Sequence, residues 1–273
     1  MSDASSTPLN ILVLVKHVPD AQFDRHIDPD TLRIDRSESI LSELDEYAVE
    51  AALAIAEERG GPKAGNQVIA ATMGGPKALA SVKKALQMGA TSGLHLNDES
   101  LAGSDVTATS RALAALVKYA GNIDLVVTGM ASTDAETAVV PAQLAERLGF
   151  AALTNAHKVE FDSSGAQLII SRDHGSESLK LSAGFPAVLS VTDQANEPRY
   201  PNFRGIMAAK KKKTEEVSAA DLGLDSGTVG VAGSATRLIS AEQRPARSAG
   251  TVITDNGQAG IALVDYLAEQ KLI

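Results

Sequence analysis

Two glycine-containing loops offer the residues best suited to hold a phosphate group. One contains Gly74 and Gly75, and the other runs from Gly129 to Thr137; each follows an apolar run and leads into a helical pattern. Backbone amides at the start of a helix attract anions, and glycine lets a ligand come close to the backbone. Neither loop has the GxGxxG or the GxxxxGK spacing of the common nucleotide motifs. A nucleotide site and a pair of tight turns both remain open, although two such loops at one sheet edge strengthen the first interpretation.

The acidic and histidine side chains show no catalytic arrangement. Asp134 and Glu136 lie in the second loop, where two carboxylates could bind a metal or transfer protons. Acids near a helix start are also expected from the helix dipole and from capping, and this simpler interpretation is preferred. The five histidines have no ligand spacing, and the chain contains neither a GxSxG motif nor a cysteine. The sequence therefore predicts no catalytic residues, no metal site and no enzyme activity of its own.

A third feature is the stretch at residues 196–213, NEPRYPNFRGIMAAKKKK, which has no helical or strand period. Counted from Glu197, one acid faces six basic residues, a local charge of +5 in a chain of net charge −9. Apolar side chains are interleaved with these charges at Tyr200, Phe203, Ile206 and Met207. A solvated basic run is the simpler interpretation of the four lysines. Apolar residues rimmed by polar ones are typical of contact sites, so the whole stretch favours docking of a partner.

The elements that would position these residues alternate between strands and helices. Apolar runs predict buried strands at residues 11–15, 67–73, 93–96, 124–128 and 187–192. Helical periodicity predicts helices at residues 45–58 and 76–88, after a cap at Ser104, and up to about Leu148. Regular alternation of this kind predicts an α/β fold with a doubly wound, mainly parallel sheet.

Composition along the chain predicts three parts. Residues 1–195 form the α/β domain, with an excursion at 21–40 and a β-hairpin near 153–171 around a turn signal. Residues 196–213 form the docking stretch, and residues 214–273 form a glycine-rich arm that ends in a helix at 260–272. An arm without a core of its own is expected to lie on another surface. The opening MSDASSTPLN has neither a basic n-region nor an apolar core and is expected to be a short disordered leader.

Composition also excludes several classes of protein. With 3% aromatic residues and no tryptophan, the core must be built from Ala, Val, Leu and Ile. The lack of cysteine excludes disulfides, thiolate metal sites and iron–sulfur clusters, and a cytoplasmic location is expected. The acidic balance argues against nucleic-acid binding, and no apolar run approaches the length of a membrane span.

Several segments, in order along the chain, resemble the β subunit of electron transfer flavoproteins. The docking stretch resembles that family's signature, in which NEPRY, an Ile-Met pair and a lysine-rich run follow one another. ILVLVKHVPD resembles its first strand and loop, SELDEYAVEAAL its first long helix, and MGGPKALASVKKALQMGA its GP-helix segment. DLVVTGMASTDAETAVVPAQLAERLG resembles its nucleotide loop. FPAVLSVTDQANEPRY and an AGxxVxT-like stretch at 249–254 extend the resemblance to essentially the whole chain.

The resemblance implies a Rossmann-like domain and an extended C-terminal arm that packs on an α subunit, which carries most of the FAD site. In members that do not bifurcate electrons, the β subunit also buries a structural AMP. By position, these residues would contact it: Leu14, Lys16, Ser42, Gly74, Gly75, Asp134, Thr137, Ala138, Val139 and Val140. Backbone amides at 137–140 would receive the phosphate. Many bacterial members have Gly, Asp, Gln and Gly where this chain has Ala135, Glu136, Val139 and Pro141. Phosphate contact by side chains is therefore less expected than contact by backbone.

The resemblance also implies that the docking stretch binds dehydrogenases through an apolar anchor, a position that Phe203 occupies. The expected docking residues are Glu197, Arg199, Tyr200, Phe203, Ile206 and Met207. Electrons would pass from acyl-CoA and other dehydrogenases, through FAD, to a quinone-linked oxidoreductase, as in fatty acid oxidation. Two alternatives are a flavin-bifurcating homologue with a second FAD in the AMP site, and a nucleotide-binding stress or signalling module with a similar sheet.

Overall fold

The computed structural model describes residues 7–242, 245, 250 and 252–273. Most of the predicted leader and part of the motif at 249–254 lie outside the described residues. The chain forms two compact units, one up to Ser240 and one from Ala241 onward. No helix in the part of the chain that the structure describes combines the length and apolar character that crossing a membrane requires.

The strands, in chain order, are β1 (Asn10–Leu14), β2 (His17–Pro19), β3 (Ser39–Leu41), β4 (Gln67–Met73), β5 (Ser92–Leu96), β6 (Leu125–Gly129), β7 (Ala151–Ala156), β8 (Lys158–Phe161), β9 (Gln167–His174), β10 (Glu177–Gly184), β11 (Ala187–Val191) and β12 (Thr214–Val217). The helices are α1 (Glu43–Glu58), α2 (Leu79–Met88), α3 (Val106–Tyr119), α4 (Val140–Leu148), α5 (Phe203–Ala209) and α6 (Ala259–Glu269). Helix α6 belongs to the second unit, and its bounds are close to those of the terminal helix predicted at 260–272.

Seven strands form one sheet in the order β12-β5-β4-β1-β6-β11-β7. Every neighbouring pair in it is parallel. The chain starts in the middle at β1, builds outward through β4 and β5, and returns to the other side of β1 for β6. This confirms the predicted Rossmann-like, doubly wound α/β fold. Because the strand order reverses between β1 and β6, a crevice is expected at their carboxyl ends, where such folds bind ligands.

Side chains of β1 alternate between two hydrophobic cores, one on each face of the sheet. Ile11 and Val13 pack with residues of α1 and α2, whereas Leu12 and Leu14 pack with residues of α3 and α4. Many of the buried helix positions are alanines, which allow a helix to approach the sheet closely. A core of small and branched aliphatic side chains explains why the chain needs few aromatic residues.

A smaller antiparallel sheet of β8, β9 and β10 follows β7. Strands β8 and β9 pair across the predicted turn, which Asp162 closes by accepting a hydrogen bond from the Gln167 amide at 2.8 Å. The hairpin predicted near 153–171 would have one strand before its turn, but the structure has two, because the chain leaves the central sheet after Ala156. The next amide, that of His157, then donates to the Ser171 carbonyl oxygen at 2.9 Å.

The structure differs from the sequence prediction at two places after residue 195. Part of the docking stretch, expected to be irregular, forms α5, whose seven residues are too few to show a period. Its cap is Asn202, whose side-chain oxygen accepts a hydrogen bond from the Gly205 amide at 2.8 Å. Residues 214–217, assigned by sequence to the arm, form β12 at the edge of the central sheet. Val217 alone is buried in this strand, so its sequence lacks the apolar run of a central strand.

Helix α3 is capped by Asp105 and not, as predicted, by Ser104. The Asp105 Oδ1 accepts a hydrogen bond from the Ala108 amide at 2.9 Å. The Asp105 Oδ2 accepts hydrogen bonds from the amides of Ala235 and Thr236, both at 2.8 Å. One carboxylate thereby caps a helix and fastens the segment that precedes residue 240 to that helix.

Replacing Asp105 with alanine should lower the free energy of unfolding by about 2 kcal/mol, because a helix cap and two tertiary hydrogen bonds are lost together. Limited proteolysis should then cut the segment around Thr236 faster than in the wild type. Asp225→Ala is the matched control, since Asp225 caps only a short turn through the Gly227 amide. Equal cleavage rates in the two variants would contradict this role of Asp105.

Candidate functional site

One buried carboxylate, that of Asp45, lies between the carboxyl ends of the two central strands. Asp45 belongs to the first turn of α1, and its Oδ2 accepts a hydrogen bond from the Lys16 amide, just after β1, at 2.7 Å. On the other side, a Cβ on Gly129 at the end of β6 would lie 2.8 Å from Asp45 Oδ1 and 2.9 Å from the Leu44 carbonyl oxygen. Position 129 therefore requires glycine. The sequence marks Asp45 only as part of a helix start, so this contact is a finding of the structure.

A second buried carboxylate, that of Asp134, organises the loop after β6. Its side chain is 1% exposed and lies between Lys16 Nζ, at 2.8 Å, and the guanidinium of Arg36. Burial alone would raise the pKa of Asp134, but the charge and hydrogen bond of Lys16, with further bonds from Ser132 and Arg36, lower it to about 2. Asp134 is thus an ionised partner of two cations and not a helix cap. Sequence reasoning assigned neither Arg36 nor Arg25 to the site, although Arg25 also reaches this loop and donates to the Thr133 carbonyl oxygen at 2.8 Å.

The backbone from residue 136 to residue 139, just before the start of α4, adopts unusual angles. Glu136 and Ala138 have φ angles of +50° and +55°, which non-glycine residues rarely adopt. Val139 follows with right-handed angles, and α4 begins at Val140 without a side-chain cap. A left-handed residue followed by a right-handed one forms a concave group of amides that attracts anions. Two such positions, with one residue between them, persist only where the surrounding structure fixes the backbone.

The remaining residues that the sequence predicts to bind a nucleotide lie at the same edge of the sheet. Ser42 is buried, and its amide donates a hydrogen bond to the Lys16 carbonyl oxygen at 3.0 Å. The Ser42 hydroxyl has no hydrogen-bond partner among the described residues. Gly74 follows the neighbouring strand β4, and its carbonyl oxygen lies 2.9 Å from Nε2 of the buried His95. Gly75 has open space where a Cβ would stand, whereas the Leu14 side chain is buried in the core. The structure therefore brings Lys16, Ser42 and Asp134 into one hydrogen-bonded group with both loops nearby.

Among the residues that the structure describes, no three His, Asp or Glu side chains lie close enough together to hold a metal ion.

The apolar side chains of the docking stretch lie on the surface, around α5. Tyr200 is 90% exposed and Phe203 is 77% exposed, and Ile206 and Met207 are also exposed. We call these four residues the docking patch. Glu197 is exposed nearby. Phe203, Ile206 and Met207 are spaced three and four positions apart, so they share one face of the short helix.

The predicted docking residue Arg199 is engaged within the chain. Its guanidinium makes paired hydrogen bonds to Glu50, at 2.7 and 2.8 Å, and to Glu57, at 2.6 and 2.9 Å. These hydrogen bonds raise the pKa of Arg199 and lower that of Glu57. Of the four lysines, Lys212 donates to the Leu86 carbonyl oxygen at the end of α2, at 2.8 Å. Arg199 and Lys212 therefore attach the stretch to the domain.

The stability of the protein should fall with rising pH because of Asp45. Burial raises the pKa of Asp45 to about 7, although hydrogen bonds from the backbone and the charge of Lys16 act in the opposite direction. Between about pH 4 and pH 7 the folded chain keeps a proton that the unfolded chain has released, so stability is present at low pH and is lost as pH rises. Asp45→Asn, which never ionises, should gain stability relative to the wild type by up to about 1.4 kcal/mol per pH unit in this window.

Denaturant unfolding at pH 5, 6, 7 and 8 measures this difference. Asp134→Asn is the control, because the pKa of Asp134 is lowered to about 2 and its ionisation does not change in this range. A constant difference between Asp45→Asn and the wild type at all four pH values would contradict the prediction.

Comparisons with known proteins agree with this geometry. The electron transfer flavoprotein domain family matches residues 31–222. The chain is 38% identical over 266 residues to the electron transfer flavoprotein subunit beta of Mycobacterium tuberculosis (strain ATCC 25618 / H37Rv), covering 97% of this chain and 99% of the relative. It is 35% identical over 272 residues to the corresponding subunit of Thermoanaerobacterium thermosaccharolyticum, covering 97% and 100%. It is 34% identical over 270 residues to the caffeyl-CoA reductase-Etf complex subunit CarD of Acetobacterium woodii, again covering 97% and 100%.

These matches span nearly the whole of this chain and of each relative. They imply a flavin and an α subunit as partners in electron transfer, and they replace the alternative of a stress or signalling module. The chain belongs to the electron transfer flavoprotein family, as a β subunit.

Proposed function

We propose that this chain, paired with an α subunit that holds most of the FAD, carries electrons from dehydrogenases such as acyl-CoA dehydrogenases to a quinone-linked oxidoreductase. The observation that carries this proposal is the docking patch, an exposed apolar surface on a short, capped helix. A carrier must bind its partners briefly and release them, and a small apolar anchor with a charged rim suits that task. When bound, FAD supplies the redox chemistry, while this chain orients the cofactor and its partners.

The sheet edge that carries Lys16, Ser42, Asp134 and the backbone at 136–140, which we call the nucleotide edge, fits an AMP. Amides at 137–140 would receive the phosphate, and the two cations beside Asp134 exceed its single negative charge by one, which favours an anion there. Ser42 Oγ, buried without a partner among the described residues, would be satisfied by a polar atom of the nucleotide.

A flavin-bifurcating function, with a second FAD in place of AMP, is the alternative. One relative is named as a subunit of a caffeyl-CoA reductase-Etf complex, so this chain resembles a member that works with a dedicated reductase. Extraction of the nucleotides from the purified heterodimer, followed by mass measurement, tests the two proposals. One FAD and one AMP per heterodimer supports the carrier, and two FAD supports the bifurcating alternative.

Two substitutions of Ala138 should differ in their effect on AMP content. Ala138 has a φ angle of +55°, which glycine adopts freely and a β-branched residue strongly resists. Ala138→Gly should therefore keep the bound AMP, whereas Ala138→Val should distort the amides at 137–140 and lower AMP occupancy at least tenfold. The extracted AMP is measured against FAD in the same heterodimer. Equal AMP content in the two variants would contradict phosphate binding by this loop.

Replacing Phe203 with alanine should lower kcat/KM for reduction by an acyl-CoA dehydrogenase about thirtyfold, because truncation of an aromatic hot-spot residue typically costs about 2 kcal/mol of binding. FAD content and melting temperature should stay unchanged, because the side chain is 77% exposed. Tyr119→Ala is the matched control, since Tyr119 is an exposed ring outside the docking patch. Loss of FAD in Phe203→Ala, or an equal loss of rate in the control, would count against the docking role.

A further inference from the structure

The docking stretch is joined to α1 chiefly through Arg199, while Asn196 Nδ2 donates one further hydrogen bond to the Tyr47 carbonyl oxygen of that helix at 3.0 Å. Arg199 Nε and Nη2 donate to the two carboxylate oxygens of Glu50, and Nη1 and Nη2 donate to the two of Glu57. The Arg199 amide also donates to Glu50 Oε2 at 3.1 Å. We call Arg199, Glu50 and Glu57 the arginine clamp. Both acids lie on α1, seven residues apart, so they share one face of the helix and the guanidinium spans two turns of it.

The clamp lies next to the docking helix in sequence. The three residues Tyr200, Pro201 and Asn202 separate Arg199 from the start of α5. Proline fixes its own φ angle, and Asn202 caps α5. Little freedom is left between the clamp and Phe203, so the position of Arg199 sets the position of the docking patch.

The other side of α5 is also held against the domain. A Cβ on Gly205 would lie 2.5 Å from the Gln87 carbonyl oxygen, so α5 packs on the end of α2 at a distance that only glycine allows. Lys212 Nζ donates to the neighbouring Leu86 carbonyl oxygen at 2.8 Å. The helix itself has seven residues and none of them is buried. A helix this short is not stable by itself, so its attachments must hold it in place.

We propose that Arg199 is a positioning residue that holds α5 in its partner-binding orientation before a partner arrives. This inference rests on the proposed docking function, and it gives Arg199 a role different from contact with the dehydrogenase. Preorganisation of a binding element improves affinity because the element does not have to be ordered at the moment of binding. The docking patch then does not have to become ordered when it binds an apolar pocket on a partner.

The shape of the guanidinium, and not its charge alone, is what the clamp requires. Arginine offers a planar fork that satisfies two carboxylates in pairs, whereas lysine offers one point charge. Arg199→Lys therefore keeps the net charge of the docking stretch and removes most of the clamp. Arg199→Gln removes both the positive charge and most of the clamp. If charge alone mattered, the lysine variant would behave like the wild type.

The expected effect follows from the fraction of time that α5 spends in the competent position. Apparent affinity falls in proportion to that fraction, so a helix that is in place one-tenth of the time binds about tenfold more weakly. The loss should appear as a raised KM of the dehydrogenase for the flavoprotein, with kcat unchanged, because the flavin environment is not altered.

The experiment compares the purified holo-heterodimer with its Arg199→Lys, Arg199→Gln and Phe203→Ala variants. Hydrogen exchange of the amides at 200–209 is measured without dehydrogenase, and steady-state reduction by an acyl-CoA dehydrogenase is measured over a range of heterodimer concentrations. Faster exchange in both Arg199 variants, with KM raised about tenfold and kcat unchanged, is the expected result. Phe203→Ala should raise KM without changing the exchange rate.

Other outcomes separate the two proposals. Normal exchange and KM in Arg199→Lys, with a defect in Arg199→Gln alone, would show a charge effect and overturn the clamp. Normal behaviour of both Arg199 variants, with a defect in Phe203→Ala, would overturn the clamp and leave the docking function standing. No defect in Phe203→Ala would overturn the docking function itself. If the Arg199 variants do not fold, Glu57→Gln, which leaves the Glu50 pairs intact, should give an intermediate rise in exchange and KM.

Discussion

The structure depends on the close approach of α1 to the ends of the two central strands. The Asp45 carboxylate accepts a hydrogen bond from the Lys16 amide just after β1. Gly129, at the end of β6, leaves room for that carboxylate. A side chain at position 129 would push the helix away, and the crevice at the switch point of the sheet would lose one wall. Because a buried carboxylate is held there by backbone amides, the position of α1 is fixed by polar geometry as well as by apolar packing.

The loop over this crevice is held by ion pairs that its own sequence cannot supply. Lys16 comes from the end of β1 and Arg36 from the excursion, and both meet the single carboxylate of Asp134. Two attached cations keep Asp134 ionised and in place, and the strained backbone at Glu136 and Ala138 follows within a few residues. Strain of this kind persists only where the surroundings determine the conformation. The excursion is therefore a structural part of the nucleotide edge.

Sequence reasoning succeeded where local pattern decides the structure. The apolar runs of β1, β4, β6 and β11 and the helical period of α1 identified the doubly wound fold, because a parallel sheet buried on both faces leaves a strong signal. It failed where distant contacts decide. Strand β12 has one buried residue, α5 is too short for a period, and the partners of Asp45, Asp134 and Arg199 lie 29 to 149 positions away. The positive φ at Ala138 has no signature either, since alanine seldom adopts it.

Helix α1 supports both of the surfaces to which we assign a function. Its first turn carries Asp45, with Ser42 just before it, at the nucleotide edge, and its side carries Glu50 and Glu57 beneath the docking stretch. From Asp45 to Glu57 the helix rises about 18 Å, at 1.5 Å per residue. A rigid element of that length fixes the docking helix relative to the nucleotide edge, which a loop could not do. For the docking function that we propose, this rigidity lets a partner that binds at Phe203 meet this chain in one reproducible orientation.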